Sequence, residues 1–241
     1  MNTPDAPHSD LDFGTTAGWF RKFAAWIASH IARRGFSLEV RGTQHLAAQE
    51  SFIISANHAS HLDTFVLVVA AGTARERLVF LGARDYFFSW RWRRFLVQSL
   101  ICLVPFERAR NLAATQENLR RLEACKAAGR IIALYPEGTR SRNGEIGEFK
   151  SSIAFFAEKL GLRVVPCRLE GTFEALPKGR VLPRFHPLRV TFGAPCAVPP
   201  GPTAETGPER KRRYTEFATD LKNQIDALPG PARGATSIAA Q

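Results

Sequence analysis

The chain has 241 residues, which suits one domain, or one domain with an appended element. An apolar fraction of 45% is enough for a full core, while 33 Lys and Arg against 22 Asp and Glu leave a formal net charge of +11. That surplus points to anionic partners, whether nucleic acid, anionic lipid or phosphorylated substrates and carriers, and does not choose among them.

The first fifteen residues carry three Asp and two Pro and no apolar h-region, so they read as a disordered tail, not a signal peptide. From residue 17 to 34, Trp19, Phe20, Phe23, Trp26, Ile27 and Ile31 recur at helical spacing, bounded by Arg21, Lys22, Arg33 and Arg34. The pattern fits a helix on the chain's own core. It fits equally a helix in the headgroup region of a bilayer, with Trp19, Phe20, Phe23 and Trp26 in contact with lipid. Gly35 follows as a helix stop.

After it, strands and helices alternate. Strands are predicted at 36–42, 51–57, 77–83, 101–106, 130–136, 162–171 and 187–193. Helices are predicted at 61–72, 85–100, 111–128 and 151–161, with Leu112, Leu119 and Leu122 on one side of the third. A Pro- and Gly-rich linker leads to a polar helix at 209–228, and the last residues read as disordered. The alternation predicts an α/β fold, a mostly parallel central sheet flanked by helices, with an N-terminal amphipathic helix and a C-terminal helix. No uninterrupted apolar run reaches the ~20 residues that span a bilayer.

The four cysteines, Cys102, Cys125, Cys167 and Cys196, form no C-x-x-C pair and read as buried reduced thiols. No metal site is expected.

Two segments that follow predicted buried strands carry the chemistry. In NHASHLD, Asn57 to Asp63, a loop His58 and a first-turn Asp63 can pair, leaving one ring nitrogen free as a base. Asp63 also fits a plain helix-start carboxylate on free amides, and His61 reads as a polar loop residue. In YPEGTRS, Tyr135 to Ser141, Gly138 permits a tight turn, and Glu137, Thr139 and Arg140 place a carboxylate, a hydroxyl and a guanidinium together. An ordinary polar turn reads the same way. Arg108, ending LVPFER, and Lys150, in FKSS, are candidate further cations at the same mouth, or solvated surface charges.

YFFSWRWRRFL, residues 86–96, interleaves aromatics with Arg. Membrane contact through Trp90 and Trp92, core packing with a basic outer face, and base stacking all fit, nucleic acid least, since no nucleic-acid-binding motif is present.

The ordered set NHASHLD, LVPFER, YPEGTRS with FK, and VVP at 164–166 resembles the four blocks of the glycerolipid acyltransferase family, which includes lysophosphatidic acid acyltransferases. The resemblance covers roughly residues 50 to 170. Tyr135 stands where that family usually has Phe, and FKSS where FKKG or FKSG is common. The resemblance implies that His58 is the general base and Asp63 its orienting carboxylate. It implies that Glu137, Gly138, Thr139 and Arg140 shape the acceptor site, with Arg108 and Arg140 on its phosphate, Lys150 assisting, and Pro166 structural.

It further implies transfer of a fatty acyl group to a lysophospholipid hydroxyl, 1-acyl-glycerol-3-phosphate or another lyso-lipid such as a lyso-ornithine lipid. Acyl-CoA or acyl-ACP is the co-substrate, and no cofactor is expected. A non-enzymatic lipid-binding protein on the same fold is the alternative. The expected partners are a membrane surface with anionic lipid and the acyl carrier, not nucleic acid. The expected location is the cytoplasmic face of the membrane, peripheral or monotopic. The chain then divides into a tail (1–15), an amphipathic membrane-associating helix (16–35), an acyltransferase domain (36–195), a linker with the C-terminal helix (196–228) and a second tail (229–241).

Overall fold

A computed structural model describes residues 26, 29–30, 32–47, 50–83, 101–107, 111–180 and 182–229. Within them the chain runs β1 (Glu39–Arg41), β2 (Ile53–Ala56), α1 (Leu62–Ala70), β3 (Leu78–Ala83) and β4 (Leu103–Phe106). It continues through α2 (Leu112–Ala127), β5 (Ile131–Leu134), α3 (Ser152–Leu160), β6 (Val164–Glu170) and the one-turn α4 (Thr172–Ala175), then β7 (Arg189–Phe192) and α5 (Gly207–Ala227). The expected helix at 85–100, Trp19, Phe20, Phe23, Trp90, Trp92 and Arg108 lie outside the described residues.

The seven strands form one sheet in the order β1-β7-β6-β2-β5-β3-β4. Every neighbouring pair is parallel except β6 with β7. Strands of such a sheet are covered on both faces, so their sequences are continuous apolar runs instead of alternating ones. Along β2, Ile53 packs with one cluster, while Ile54 and Ala56 pack with the other. One face is covered by α1 through Val66, Leu67 and Ala70. The opposite face is covered by α2, α3 and α5, the last through Tyr214, Phe217, Leu221 and Ile225.

α5 starts with a capping box, in which Thr206 and Glu209 satisfy each other's backbone amides, and with a proline in its first turn. The polar helix of the C-terminal segment is therefore part of the core layer. Cys102, Cys125 and Cys167 are buried free thiols and Cys196 is half-buried. Burial pushes the Cys125 thiol up to about 12, which keeps it protonated and inert.

Two local expectations change. In α2 the buried stripe is Ala114, Asn118, Leu122 and Cys125, and Leu112 is 73% exposed. A stripe counted on leucines alone misses that Ala, Asn and Cys supply the inner face here. At the end of the N-terminal helical residues, the left-handed position is taken by Ser37, φ 46°, not by Gly35. Gly35 instead leaves room for the Phe185 ring, which a Cβ there would meet at 2.8 Å.

Candidate active site

In an open parallel sheet, ligands bind beyond the carboxyl ends of the strands. β2 and β5 are parallel neighbours, with Ser55 beside Leu134, so the segments that follow them emerge at the same edge. These are the His58 segment and the 135–150 segment. The chain closes them onto each other by two hydrogen bonds. The Ser141 amide donates to the His58 carbonyl at 2.8 Å, and the His58 amide donates to Glu137 Oε1 at 2.7 Å.

His58 lies in the loop and Asp63 in the first turn of α1. Their side chains meet at 2.7 Å, Nδ1 to Oδ2. The same Oδ2 accepts the amides of Ala59 and Ser60, each at 2.7 Å. Asp63 thus meets the helix-start amides and the imidazole on one oxygen. The carboxylate is fully buried at the start of α1. With Oδ2 acting as acceptor, the imidazole donates from Nδ1, and Nε2 is the nitrogen left to take a proton. Asp63 Oδ1 is buried without a hydrogen-bond partner among the described residues, so all the orientation comes through one oxygen.

The ring of His58 stacks on Tyr135, centroids 4.1 Å apart and planes within 16°. Tyr135 is held in turn by a 3.1 Å hydrogen bond between its hydroxyl and Thr64 Oγ1, one residue beyond Asp63. Burial pushes the phenol well above its usual range, so it stays neutral. The imidazole is therefore fixed on one edge by a carboxylate and on one face by an aromatic plane, while its side chain keeps 20% of its surface open.

The turn after β5 is made by Gly138, φ 72°, where only glycine is unstrained. A Cβ at Gly138 would lie 2.2 Å from Lys150 Nζ, so the ammonium rests directly on the turn. The Lys150 amide donates to the Pro136 carbonyl at 3.0 Å, which closes the 136–150 loop. Glu137 spans it with its second oxygen, accepting the Gly147 amide at 3.2 Å. Burial raises the Glu137 carboxyl above its usual range, against the opposing pull of the His58 and Gly147 amides. Thr139 and Lys150 are exposed and Arg140 is half-buried. Burial, then the positive charge of Arg140, hold the His61 imidazole below its ordinary value. The hydrogen bond of the neighbouring Ser141 amide to His58 brings the Arg140 backbone to the His58 loop.

The structure thus brings together His58, Asp63, Glu137, Gly138, Arg140 and Lys150. β4, which precedes Arg108, runs parallel to β3 and ends at the same edge. Pro166 lies in β6 opposite Ser55, and its carbonyl accepts the Gly193 amide at 2.8 Å.

Three supporting residues were not singled out from sequence. Asn57 bonds both backbone groups of Leu169, accepting its amide at 2.8 Å and donating to its carbonyl at 2.9 Å. Asn118 does the same for Glu107, at 2.8 and 2.9 Å. Ser60 Oγ donates to the Leu176 carbonyl at 2.7 Å and accepts the Leu62 amide at 3.1 Å. Asn57 reaches across 112 residues of sequence, which no local pattern encodes.

The fold and site define an α/β protein with an imidazole bonded to a buried carboxylate at the carboxyl edge of its parallel strands, flanked by a cationic turn. Residues 37–170, more than half of the chain, match the Acyltransferase family. The chain belongs to that family.

It is 27% identical over 168 residues to the 1-acyl-sn-glycerol-3-phosphate acyltransferase of Limnanthes douglasii, covering 67% of this chain and 55% of that protein. It is 26% identical over 152 residues to the enzyme of the same name from Pseudomonas aeruginosa, covering 61% and 54%. The chain spans about half the length of the curated relatives it matches. The crystal structure of the 1-acyl-sn-glycerophosphate (LPA) acyltransferase PlsC from Thermotoga maritima has the same fold, with TM-score 0.56 and 22% identity over 86% of this chain and 82% of that one.

Proposed function

We propose that this chain transfers a fatty acyl group from acyl-CoA or acyl-ACP to the hydroxyl of a lysophospholipid such as 1-acyl-glycerol-3-phosphate, at the cytoplasmic face of a membrane. The observation that carries the proposal is the 2.7 Å contact of His58 Nδ1 with the buried Asp63 carboxylate, one loop away from the cationic turn. The names of the relatives, 1-acyl-sn-glycerol-3-phosphate acyltransferases, support the choice of acceptor.

His58 Nε2 takes the hydroxyl proton as the acceptor oxygen attacks the thioester carbonyl. Asp63 holds the ring and stabilises the imidazolium that forms. The tetrahedral intermediate collapses with cleavage of the C–S bond, and the imidazolium returns its proton to the departing thiolate. Arg108, Arg140 and Lys150 hold the acceptor phosphate. Glu137, Gly138 and Thr139 shape the turn that presents them. The thioester is a co-substrate, and the reaction so written uses no other cofactor and no metal.

The test is a matrix of acceptors, lysophosphatidic acid and lyso-ornithine lipid among them, against acyl-CoA and acyl-ACP donors, read by mass spectrometry. Phosphatidic acid should form, and His58→Ala should lower its rate by ~10²–10⁴-fold. A folded His58→Ala protein with wild-type turnover overturns the mechanism. Product only from the lyso-ornithine lipid moves the proposal to that acceptor. No thioester consumption with any of them reduces it to a lipid-binding protein on this fold.

A further inference from the structure

The sheet topology sends two more segments to the edge where His58 lies. β7 is antiparallel to β6, with Arg189 opposite Glu170, so the loop before β7 sits at the carboxyl end of β6. β1 is parallel to β7, with Glu39 beside Arg189, so the residues before β1 arrive at that edge as well. The loop is LPKGR, then Leu182 to Leu188, and it carries two of the most exposed large apolar side chains among the described residues. Leu182 and Phe185 are each 78% exposed. Lys178, Arg180 and Arg184 between and beside them are exposed too, and none pairs with a carboxylate among the described residues.

Backbone hydrogen bonds hold the described residues of this loop. The Arg184 amide donates to the Ala175 carbonyl at 2.7 Å, and the Arg180 amide to the Pro177 carbonyl at 3.2 Å. The Phe185 ring packs over Gly35 and against Phe36 with centroids 5.3 Å apart, which joins the loop to the helical end that carries exposed Arg33 and Arg34. Trp26, earlier in the chain, is 57% exposed. The bond from Ser60 Oγ to Leu176 ties the start of the loop to the segment between His58 and α1.

We infer that residues 178–180 and 182–186, with the helical end at 33–36, form a docking surface for an anionic bilayer, on the same rim of the sheet as His58. Wet apolar side chains interleaved with unpaired cations match the headgroup boundary, where Leu and Phe enter the acyl region and Lys and Arg stay among phosphates. Nucleic acid would use the cations but gains nothing from an exposed leucine. The inference rests on the proposed lipid acceptor in one respect: a rim held on the bilayer brings His58 to a substrate that never leaves it.

The experiment is co-sedimentation of the full chain with vesicles of phosphatidylcholine, alone and mixed with phosphatidylglycerol. Each cation near an anionic surface adds about fivefold to binding. Lys178→Glu/Arg180→Glu/Arg184→Glu should therefore weaken binding to the mixed vesicles by roughly 100-fold or more. Leu182→Ser should weaken binding to both vesicle types by about tenfold, and since Leu182 is largely exposed it leaves the fold intact. A Leu182→Trp variant should gain indole quenching by brominated lipid relative to the parent chain.

Variants that melt like the parent and bind vesicles as tightly as the parent overturn the inference. So does loss of duplex DNA binding with vesicle binding unchanged. Vesicle binding needs no turnover: rim-dependent binding without acyl transfer leaves this inference standing and removes the proposed function. Acyl transfer to a detergent-dispersed acceptor with rim-independent vesicle binding does the reverse.

Discussion

The loop carrying His58 and the turn carrying Arg140 leave adjacent parallel strands, yet water reaches them very differently. Asn57, Ala59, Ser60 and Asp63 are buried around His58, whereas Gly138, Thr139 and Lys150 stand open. Each loop also has a carboxylate that gathers backbone amides. Asp63 takes two amides and the imidazole on a single oxygen, fully out of water. Glu137 spreads one amide on each oxygen and is only partly covered. On the proposed mechanism His58 moves a proton, and such a group has to be held within a fraction of an ångström, which buried hydrogen bonds do. On the same reading the turn meets a phosphate and has to be reached, so its charges stay wet and the backbone beneath them is fixed instead.

The sharpest way to break this contrast is Asp63→Asn. The side chain keeps its shape, but the charge facing the imidazole goes, and an amide NH₂ takes a place on a fully buried group. If NH₂ occupies the Oδ1 site it has no acceptor there; if it faces His58 the ring changes tautomer. Turnover should fall by ~10²–10⁴-fold, close to the loss of the base itself, and an unsatisfied buried donor should cost about 1–3 kcal/mol in urea unfolding. Turnover within threefold of the parent would mean that the buried side does not orient the base.

The exposed side should give way more gently. Gly138→Ala forces a left-handed backbone at a cost of about 1–2 kcal/mol, and its methyl displaces the Lys150 ammonium, a flexible end that can move aside. We expect the KM for a phosphate-bearing acceptor to rise by about tenfold, with kcat within a few-fold of the parent. A loss confined to kcat would place the turn on the chemistry instead of the recognition side.

Glu137→Gln separates the two carboxylates by pH. Burial raises the Glu137 carboxyl, so the folded chain holds that proton more tightly than the unfolded chain. Its contribution to stability is then fullest at low pH and is lost as pH climbs out of the usual carboxylate range. Glu137→Gln has no such proton. The stability difference, parent minus variant, should therefore shrink between about pH 4 and pH 7 in paired thermal melts. A difference that widens with pH would contradict the burial argument. Activity should drop only several-fold, because the glutamine carbonyl can still accept the His58 amide.

The same contrast explains what was legible before the fold was known. β2, β5 and β6 were visible as short apolar runs because a sheet covered on both faces has no polar side to alternate with. The pairing of His58 with Asp63 was legible because a loop histidine and a first-turn carboxylate five residues apart can meet, although the spacing alone fits a plain helix-start carboxylate as well and the family resemblance was what singled the pair out. The reversal of β7 against β6 was not visible, since both directions bury the same residues. Nor were Asn57 on Leu169 or Asn118 on Glu107, because each asparagine satisfies backbone groups of a distant segment and nothing local marks it. Leu112 was placed on the inner side of its helix, and is outside, because the inner stripe there is made of smaller and polar residues.

The smallest effect is expected at the seam between the two loops, where Tyr135 leaves the strand. Its ring carries the face of His58, and its hydroxyl reaches Thr64. Tyr135→Phe keeps the ring, and so keeps the stack that fixes the imidazole plane. It removes one hydrogen bond to a half-buried threonine that water can partly replace, a loss of about 1 kcal/mol. For a domain of this size that is a fall of about 2–4 °C in Tm, with kcat within about twofold of the parent. Tyr135→Leu, which removes the aromatic plane, should lower kcat by at least ten times what Tyr135→Phe does while melting no more than a few degrees earlier. If the two variants lose turnover equally, the hydroxyl and not the ring sets the histidine, and the orientation of the base would have to be credited to α1 alone.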